Sequence, residues 1–442
     1  MGTKAYFSNE DTQFREEILI FTDRSASNEK VLKVFPDRPK QTITGFGGSF
    51  TEGAGIVFDS MSEKTKQQLL ALYFSPSGSR YNLARMPIQS CDFSKSNYSY
   101  VQSEDDLADN NFDFSRDDDT IIPFIKAALA VNPDIVFMAS PFSPPAFMKS
   151  NQDMNGGGTL REEYYEEWAE VIYQYLLHYR KNGIVIKKFS VQNEPVAAKV
   201  WDSCLYSNAQ EAYFAVEVLQ KRLKDTPFKN LEYYIWDHDK DGLIQWADET
   251  FQTEKYRLKI DGLAFHWYTG DHFEQLQYIA EKYPEKDLLF SEGCVPQEDS
   301  TRTNQLYHGD TYIHDLINNF KYGTTSYIDW NLLLFDNGGP NHKNNFCEAP
   351  LQYKKLSDEI LINLSYYYIK HFSHFIAPGA KVVYSSVFDD RIEQVAFINP
   401  NGGKVLVAYN RSNEVCAFRV IDGQKETAVN LKSHEVMTLS WD

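Results

Sequence analysis

The sequence predicts an α/β fold, a (β/α)8 barrel carrying a small antiparallel β-sandwich built from both chain ends. Three observations predict it. Between Gln41 and Leu332, short apolar runs alternate with helical periodicity eight times, the pattern of parallel strand–helix units. After Phe375 the helical pattern stops, and short strands separated by turns such as Asn399-Pro400-Asn401-Gly402-Gly403 take over. Before Gln41, two apolar runs with no helix between them, Ile18–Phe21 and Val31–Phe35, need a partner sheet. The expected division is residues 1–40 as N-terminal sandwich strands, 41–375 as the barrel and 376–442 as the rest of the sandwich.

Taken in order, Thr42–Gly48 is the first barrel strand, and Ser60-Met61-Ser62-Glu63 reads as a capping box for a helix through Leu69, Leu70 and Tyr73. Arg80–Pro87 is the second. The acidic Asp117–Asp119 precede a helix with Pro123 in its first turn, and Asp134–Ala139 is the third strand. Tyr165, Trp168, Ala169, Ile172, Leu176 and Tyr179 share one helix face, and Asn182-Gly183 closes that helix ahead of the fourth strand, Lys187–Val191. Ser207 caps the following helix. Leu231–Trp236, Ile260–Tyr268, Lys286–Ser291 and Thr325–Leu332 are strands five to eight. Lys381–Val387, Gln394–Ile398, Val405–Tyr409, Cys416–Val420 and Val436–Ser440 are the later sandwich strands.

Composition narrows the function. The 442 residues carry 42% hydrophobic and 15% aromatic side chains, enough for a large core and for surfaces that stack on flat apolar faces such as sugar rings. A formal net charge of -18 repels nucleic acid and anionic membranes, so a neutral small-molecule, oligosaccharide or glycolipid substrate fits best. Five scattered cysteines without C-x-x-C spacing indicate neither a disulfide framework nor a zinc site. Met1–Arg15 is polar, and no run of about 18 apolar residues occurs, so a cytoplasmic protein without an integral membrane segment is expected.

Candidate chemistry sits at strand ends. Val191-Gln192-Asn193-Glu194-Pro195 closes the fourth strand on an acid just ahead of a proline that cannot continue a ladder, and Ser291-Glu292-Gly293 closes the seventh in the same way. In such barrels the chemistry lies at the C-terminal ends of the strands, and two carboxylates there suggest glycoside hydrolysis. Either glutamate alone would be read as an ordinary solvated acid among 62. Arg85 and Asp92 flank the second strand end as a structural ion pair or a ligand clamp. Phe265-His266-Trp267-Tyr268 ends the sixth strand in barrel packing or substrate contact, and Trp330 ends the eighth as a platform or a plug. Gly45-Phe46-Gly47-Gly48 lacks a following Lys-Ser or Lys-Thr and reads as close strand packing, not a phosphate loop. His371 with His374 and Asp237 with Asp239 have metal-like spacings but no third ligand, so no metal or cofactor is expected. A glycan-binding barrel without activity would share the aromatics and the charge, but it would be expected to have lost one of the two glutamates.

These residues also resemble a known family. Gly45–Glu52, Ser90-Cys91-Asp92-Phe93-Ser94, Ala139-Ser140-Pro141 with Pro144-Pro145, Asn193-Glu194-Pro195, His266-Trp267-Tyr268, Ser291-Glu292-Gly293-Cys294, Asp329-Trp330-Asn331 and Gly338-Gly339-Pro340-Asn341 are similar to motifs of glycoside hydrolase family 30, its bacterial glucosylceramidase-like branch above all. The resemblance implies a retaining mechanism with Glu194 as acid/base, kept protonated, and Glu292 as ionised nucleophile. It further implies Asn193 near the sugar 2-hydroxyl, Asp92 and Trp330 on the glycone hydroxyls, Tyr268 beside the nucleophile and Asn345 at the rim. Relatives carry Trp where this chain has Phe142, so an indole N–H donor to the glycone is missing. Exo-cleavage of terminal β-glucosides, such as glucosylceramide or aryl β-glucosides, is the expected activity. Other branches cleave β-xylosides, xylan or β-1,6-glucan.

Overall fold

A computed structural model describes residues 3–25, 30–297 and 304–442. Eight parallel strands close a barrel: Gly45–Ser49, Leu83–Ile88, Val136–Pro141, Ile186–Ser190, Glu232–Asp239, Gly262–His266, Asp287–Glu292 and Ser326–Asn331. The eight anticipated strands are all present, with ends displaced by a few residues. Period-two alternation layers the barrel interior. Leu83, Met138, Tyr234, Ala264, Leu289 and Ile328 form one buried apolar cluster. Two residues further along their strands, Arg85, Ser140, His266, Ser291 and Trp330 point the same way and make the next layer toward the C-terminal face, which is polar where the first is oily.

The glycine-rich first strand is explained by packing. A Cβ on Gly47 would lie 1.8 Å from the carbonyl oxygen of Leu83 in the neighbouring strand, so a side chain there would force the barrel open. Helix caps follow the local chemistry, with one adjustment. The helix Glu63–Phe74 is capped by Ser62, whose hydroxyl accepts from the Thr65 amide, so Ser60 is not the first member of a box. Ser207 and Gln210 do form the reciprocal box. Asp117 is not a solvated helix-end acid. It is fully buried and accepts hydrogen bonds from the hydroxyls of Tyr98, Tyr100 and Tyr179.

The sandwich is one ten-stranded sheet folded over its own core. Its order is Arg15–Leu19, Thr3–Ser8, Val436–Trp441, Lys404–Asn410, Ile392–Ile398, Lys381–Ser386, Val31–Thr42, Cys416–Asp422, Lys425–Leu431 and Thr22–Asp23. It is not wholly antiparallel, because Val31–Thr42 and Cys416–Asp422 run parallel. The sequence suggested a strand ending at Phe35, yet it runs on through Pro36 and Pro39. Register shifts against Lys381–Ser386 make the bulge that accommodates the prolines and bends the sheet. Ala5, Leu32, Val34, Leu406, Val420, Val429 and Leu439 fill the space between its two halves. His371, on the helix Leu364–Ser373, ties barrel to sandwich by hydrogen bonds to the hydroxyls of Thr438 and Ser8 at 2.8 and 2.9 Å. That use of both ring nitrogens, with His374 turned to the Gly78 carbonyl, dissolves the suspected metal pair.

A small sheet not foreseen in the sequence, Leu333–Phe335, Leu351–Lys354 and Glu359–Ile362, follows the eighth barrel strand. The loop between its first two strands reaches over the C-terminal face of the barrel and supplies Asn341, Asn345 and Cys347 to the site described next.

Candidate active site

Glu194 and Glu292 open onto one pocket of about 240 Å³, walled by Asp92, Phe142, Asn193, Lys199, Trp201, Tyr268, Cys294 and Trp330 among others. Backbone strain marks its rim. Glu194 has φ +48°, and Trp236 and Asp237, at the end of the neighbouring strand, have φ +76° and +45°. Side chains with a Cβ avoid this region at a cost of about 1–3 kcal/mol each, and such residues cluster at functional sites. The Glu194 amide donates to the Asp237 carbonyl at 3.0 Å, which pins the strained turn.

A fully buried arginine organises the floor. Arg85 donates to Glu292 Oε2 at 2.7 Å, to Asp237 Oδ2 at 2.8 Å, to Asn193 Oδ1 at 2.8 Å and to Ser140 Oγ at 3.1 Å. It therefore pairs with Glu292 and Asp237, and the Arg85–Asp92 ion pair suggested by their spacing does not form. Tyr268 donates to the other oxygen of Glu292 at 3.0 Å, so both carboxylate oxygens are held and the group is aimed. Asp237 further accepts from Ser140 and Ser291, and His266 Nε2 lies 3.2 Å from its Oδ1. Arg85 fixes the Asn193 amide by its oxygen, which leaves the Asn193 N–H groups for the pocket.

Electrostatics around Glu194 depart from the expected protonated acid. Burial pushes its carboxyl up, but His266, His238 and Lys199 more than offset that and hold it at about 2. His266 Nδ1 and His238 Nδ1 stand 3.7 and 3.6 Å from Glu194 Oε1, and Lys199 Nζ stands 3.2 Å from Oε2. His266 moves the other way. Burial opposes its charge, yet Glu292, Asp237 and Glu194 raise it to about 10. At neutral pH the Glu194–His266 couple thus carries one proton, resident on the imidazole. His266 is fully buried and does not line the pocket wall, and its ring faces Glu194 and Asp237 instead. Glu194, His238 and His266 place possible metal-ligand atoms within 4.8 Å of one another, and a metal bound there would have to displace the proton held between His266 and Glu194.

The remaining pocket wall is divided between charge and rings. Asp92 Oδ2 accepts from Asn341 and Asn345 at 3.0 and 3.1 Å, so Asn345 acts by aiming a carboxylate as well as by standing at the rim. Burial and the charge of Glu292 raise Asp92 to about 7 despite those two donors. Its folded value lies above its unfolded one, so its effect on stability is fully favourable below about pH 4 and is lost as pH rises to 7. Asp92→Asn is therefore expected to leave unfolding midpoints unchanged near pH 4 and to stabilise the protein at pH 8 by on the order of 2 kcal/mol, read from melts at both pH values. Equal shifts at both would contradict the buried, raised carboxyl. Phe142 stacks on Trp330 with ring centroids 5.7 Å apart, and the Arg85 guanidinium lies 5.5 and 5.3 Å from the two rings. Trp330 is buried as a plug and also presents a surface to the pocket.

The sequence reading missed Asp237 as the second anion of Arg85, Ser140 and Ser291 as its supports, and His238, Lys199 and Trp201 around Glu194. Asp237 and Asp239 stood out only as a metal-like pair. Asp239 instead accepts the Tyr268 amide at 2.6 Å. One signal was legible in principle: Ser140 and Ser291 sit at inward parity on strands three and seven.

A barrel with two strand-end glutamates in a ring-walled pocket defines a glycoside hydrolase. The chain belongs to glycoside hydrolase family 30: the family's TIM-barrel domain matches residues 43–376 and its beta sandwich domain residues 379–439. Lysosomal acid glucosylceramidase of Mus musculus is 30% identical over 409 residues, 89% of this chain and 79% of that protein. An endo-1,6-beta-D-glucanase of Neurospora crassa is 24% identical, over 86% of this chain and 81% of that one. Among solved structures, SrfJ from Salmonella typhimurium superposes with a TM-score of 0.98 at 52% identity, covering 100% of this chain and 99% of its own.

Proposed function

We propose that this glycosidase removes single terminal β-glucosyl units from apolar or aryl aglycones by a retaining double displacement. The observation that carries the reading is the pocket. At about 240 Å³ it falls below the roughly 300–1,000 Å³ of sites that take larger ligands, so it accommodates one sugar ring and not a run of them. The loop after Glu194 supports the aglycone assignment. Val196 and Val200 are 50% and 71% exposed beside Trp201 and Lys199, an apolar lip where a lipid or aryl group would leave. Among the described residues no helix is long and apolar enough to cross a membrane.

In this reading Glu292, held by Arg85 and Tyr268, attacks the anomeric carbon, and Glu194 passes a proton to the glycosidic oxygen. The proton is the one shared with His266. An arriving aglycone displaces the Lys199 ammonium from Glu194 Oε2 and excludes water. With one cation removed, the carboxylate becomes basic enough to take the imidazolium proton as the leaving oxygen accepts it. In the second step Glu194 deprotonates water for attack on the glycosyl ester. Glu194→Ala is expected to cut kcat/KM for alkyl or lipid glucosides by about 10²–10⁴ while aryl glucosides with good leaving groups lose far less, because only the former need the proton. Equal losses on both would sink the acid role. Negligible aryl β-glucosidase activity beside strong cleavage of β-1,6-glucan would overturn the exo-glucosidase reading.

A further inference from the structure

Two of the five scattered cysteines meet at the active-site wall. Cys294, two residues after Glu292, and Cys347, on the overhanging loop, are free thiols with sulfur atoms 2.9 Å apart, and both line the pocket. Their segments are clamped as a short ladder: the Gln297 amide donates to the Phe346 carbonyl at 3.0 Å and the Glu348 amide to the Val295 carbonyl at 2.9 Å. Cys294 Sγ also lies 3.5 Å from the Tyr268 hydroxyl that holds Glu292. On the other side, Cys347 is two residues from Asn345, which holds Asp92.

We propose that Cys294 and Cys347 form an oxidisable dithiol whose conversion to a disulfide by a peroxide slows turnover, making the glycone pocket a reversible redox-modification site. Cys294 is the less buried partner and meets the oxidant from the pocket. Its thiolate attacks one oxygen of hydrogen peroxide, the O–O bond breaks and water leaves, giving a sulfenic acid. The Cys347 sulfur then attacks that sulfur and expels a second water. Two thiols and one peroxide become one disulfide and two waters. The Cys347 contact, burial and the charge of Glu292 hold the Cys294 thiol up in its protonated form, so the reaction with peroxide is slow at neutral pH and quickens as pH rises and thiolate forms.

The consequence is geometric. Closing the sulfurs to a covalent bond draws Cys294 from Tyr268 and pulls the loop bearing Asn345 toward the nucleophile's strand. Nucleophile and glycone clamp then shift together, and displacements well under 1 Å matter at that distance from the chemistry. Disulfide formation is readable whatever the substrate proves to be, so failure of the exo-glucosidase reading and failure of this one are distinguishable.

The test treats the folded full chain with dilute hydrogen peroxide, denatures it, alkylates free thiols and maps peptides by mass spectrometry. Alkylable thiols are expected to fall from five to three, with a peptide joining Cys294 to Cys347 and an order of ten-fold loss of kcat/KM that dithiothreitol restores. Cys347→Ser should yield no linked peptide, because the Cys294 sulfenic acid then has no thiol beside it to condense with. Cys416→Ser, in the sandwich, should respond as the parent does. Five surviving thiols, a different linked pair, or a linked pair with unchanged kcat/KM would each overturn the proposal.

Discussion

Glu292→Ala is expected to lower turnover by on the order of 10⁴-fold or more, and azide is expected to restore it with formation of an α-glycosyl azide. The size follows from what the residue is asked to do and how it is held. Arg85 at 2.7 Å and Tyr268 at 3.0 Å grip one oxygen each, so the carboxylate is fixed in orientation. Alanine removes the group and leaves a space that a small anion fills on the same face. Azide entering there attacks once, with one inversion, and a β-glucoside becomes an α-azide. NMR of the azide product decides the assignment. A β-azide from this variant would mean that Glu194 is the nucleophile and that the two roles are exchanged.

Arg85→Met is expected to damage both stability and rate. The guanidinium is fully buried and serves Asp237, Glu292, Asn193 and Ser140 at once. Removing it strands Asp237, whose carboxyl Arg85 and His266 hold far below the usual range against the opposing effect of burial. Breaking a buried pair while leaving one charge behind costs about 3–5 kcal/mol, read as a lowered denaturation midpoint. The same change frees Glu292 Oε2 and the Asn193 amide, and loss of orientation on that scale costs about 10² in kcat. Arg85→Lys should recover little of either, because an ammonium cannot present the planar fork that reaches four acceptors. A lysine variant with parental stability and kcat would show that charge alone suffices there.

The legible part of this protein is what short-range pattern encodes. Each barrel strand is a local apolar run and each helix a local periodicity, so eight units, a change of texture after Phe375 and two acids at strand ends can be counted along the chain. Asp92, Asn193, Tyr268 and Trp330 stand in or beside those strand-end motifs, Asn345 came only from the resemblance, and all five line the pocket. Pairing is a different kind of information. Arg85 could have joined Asp92, seven residues away, but barrel closure sets it against Asp237 and Glu292 from strands five and seven. His266 read as a packing or ligand residue until burial beside Glu194 and Asp237 made it the holder of the couple's proton.

Spacing along the chain decided fold class, the eight barrel strands and the two glutamates, because those depend on residues adjacent in sequence. Tertiary structure alone decided which charges meet, and so the ionised state of Glu194, the raised Asp92 and the meeting of Cys294 with Cys347 across 53 residues. Electrostatic and covalent chemistry act through distances of a few ångströms in space, and those distances exist only once the barrel has closed and the loop carrying Asn341, Asn345 and Cys347 has folded over its C-terminal face.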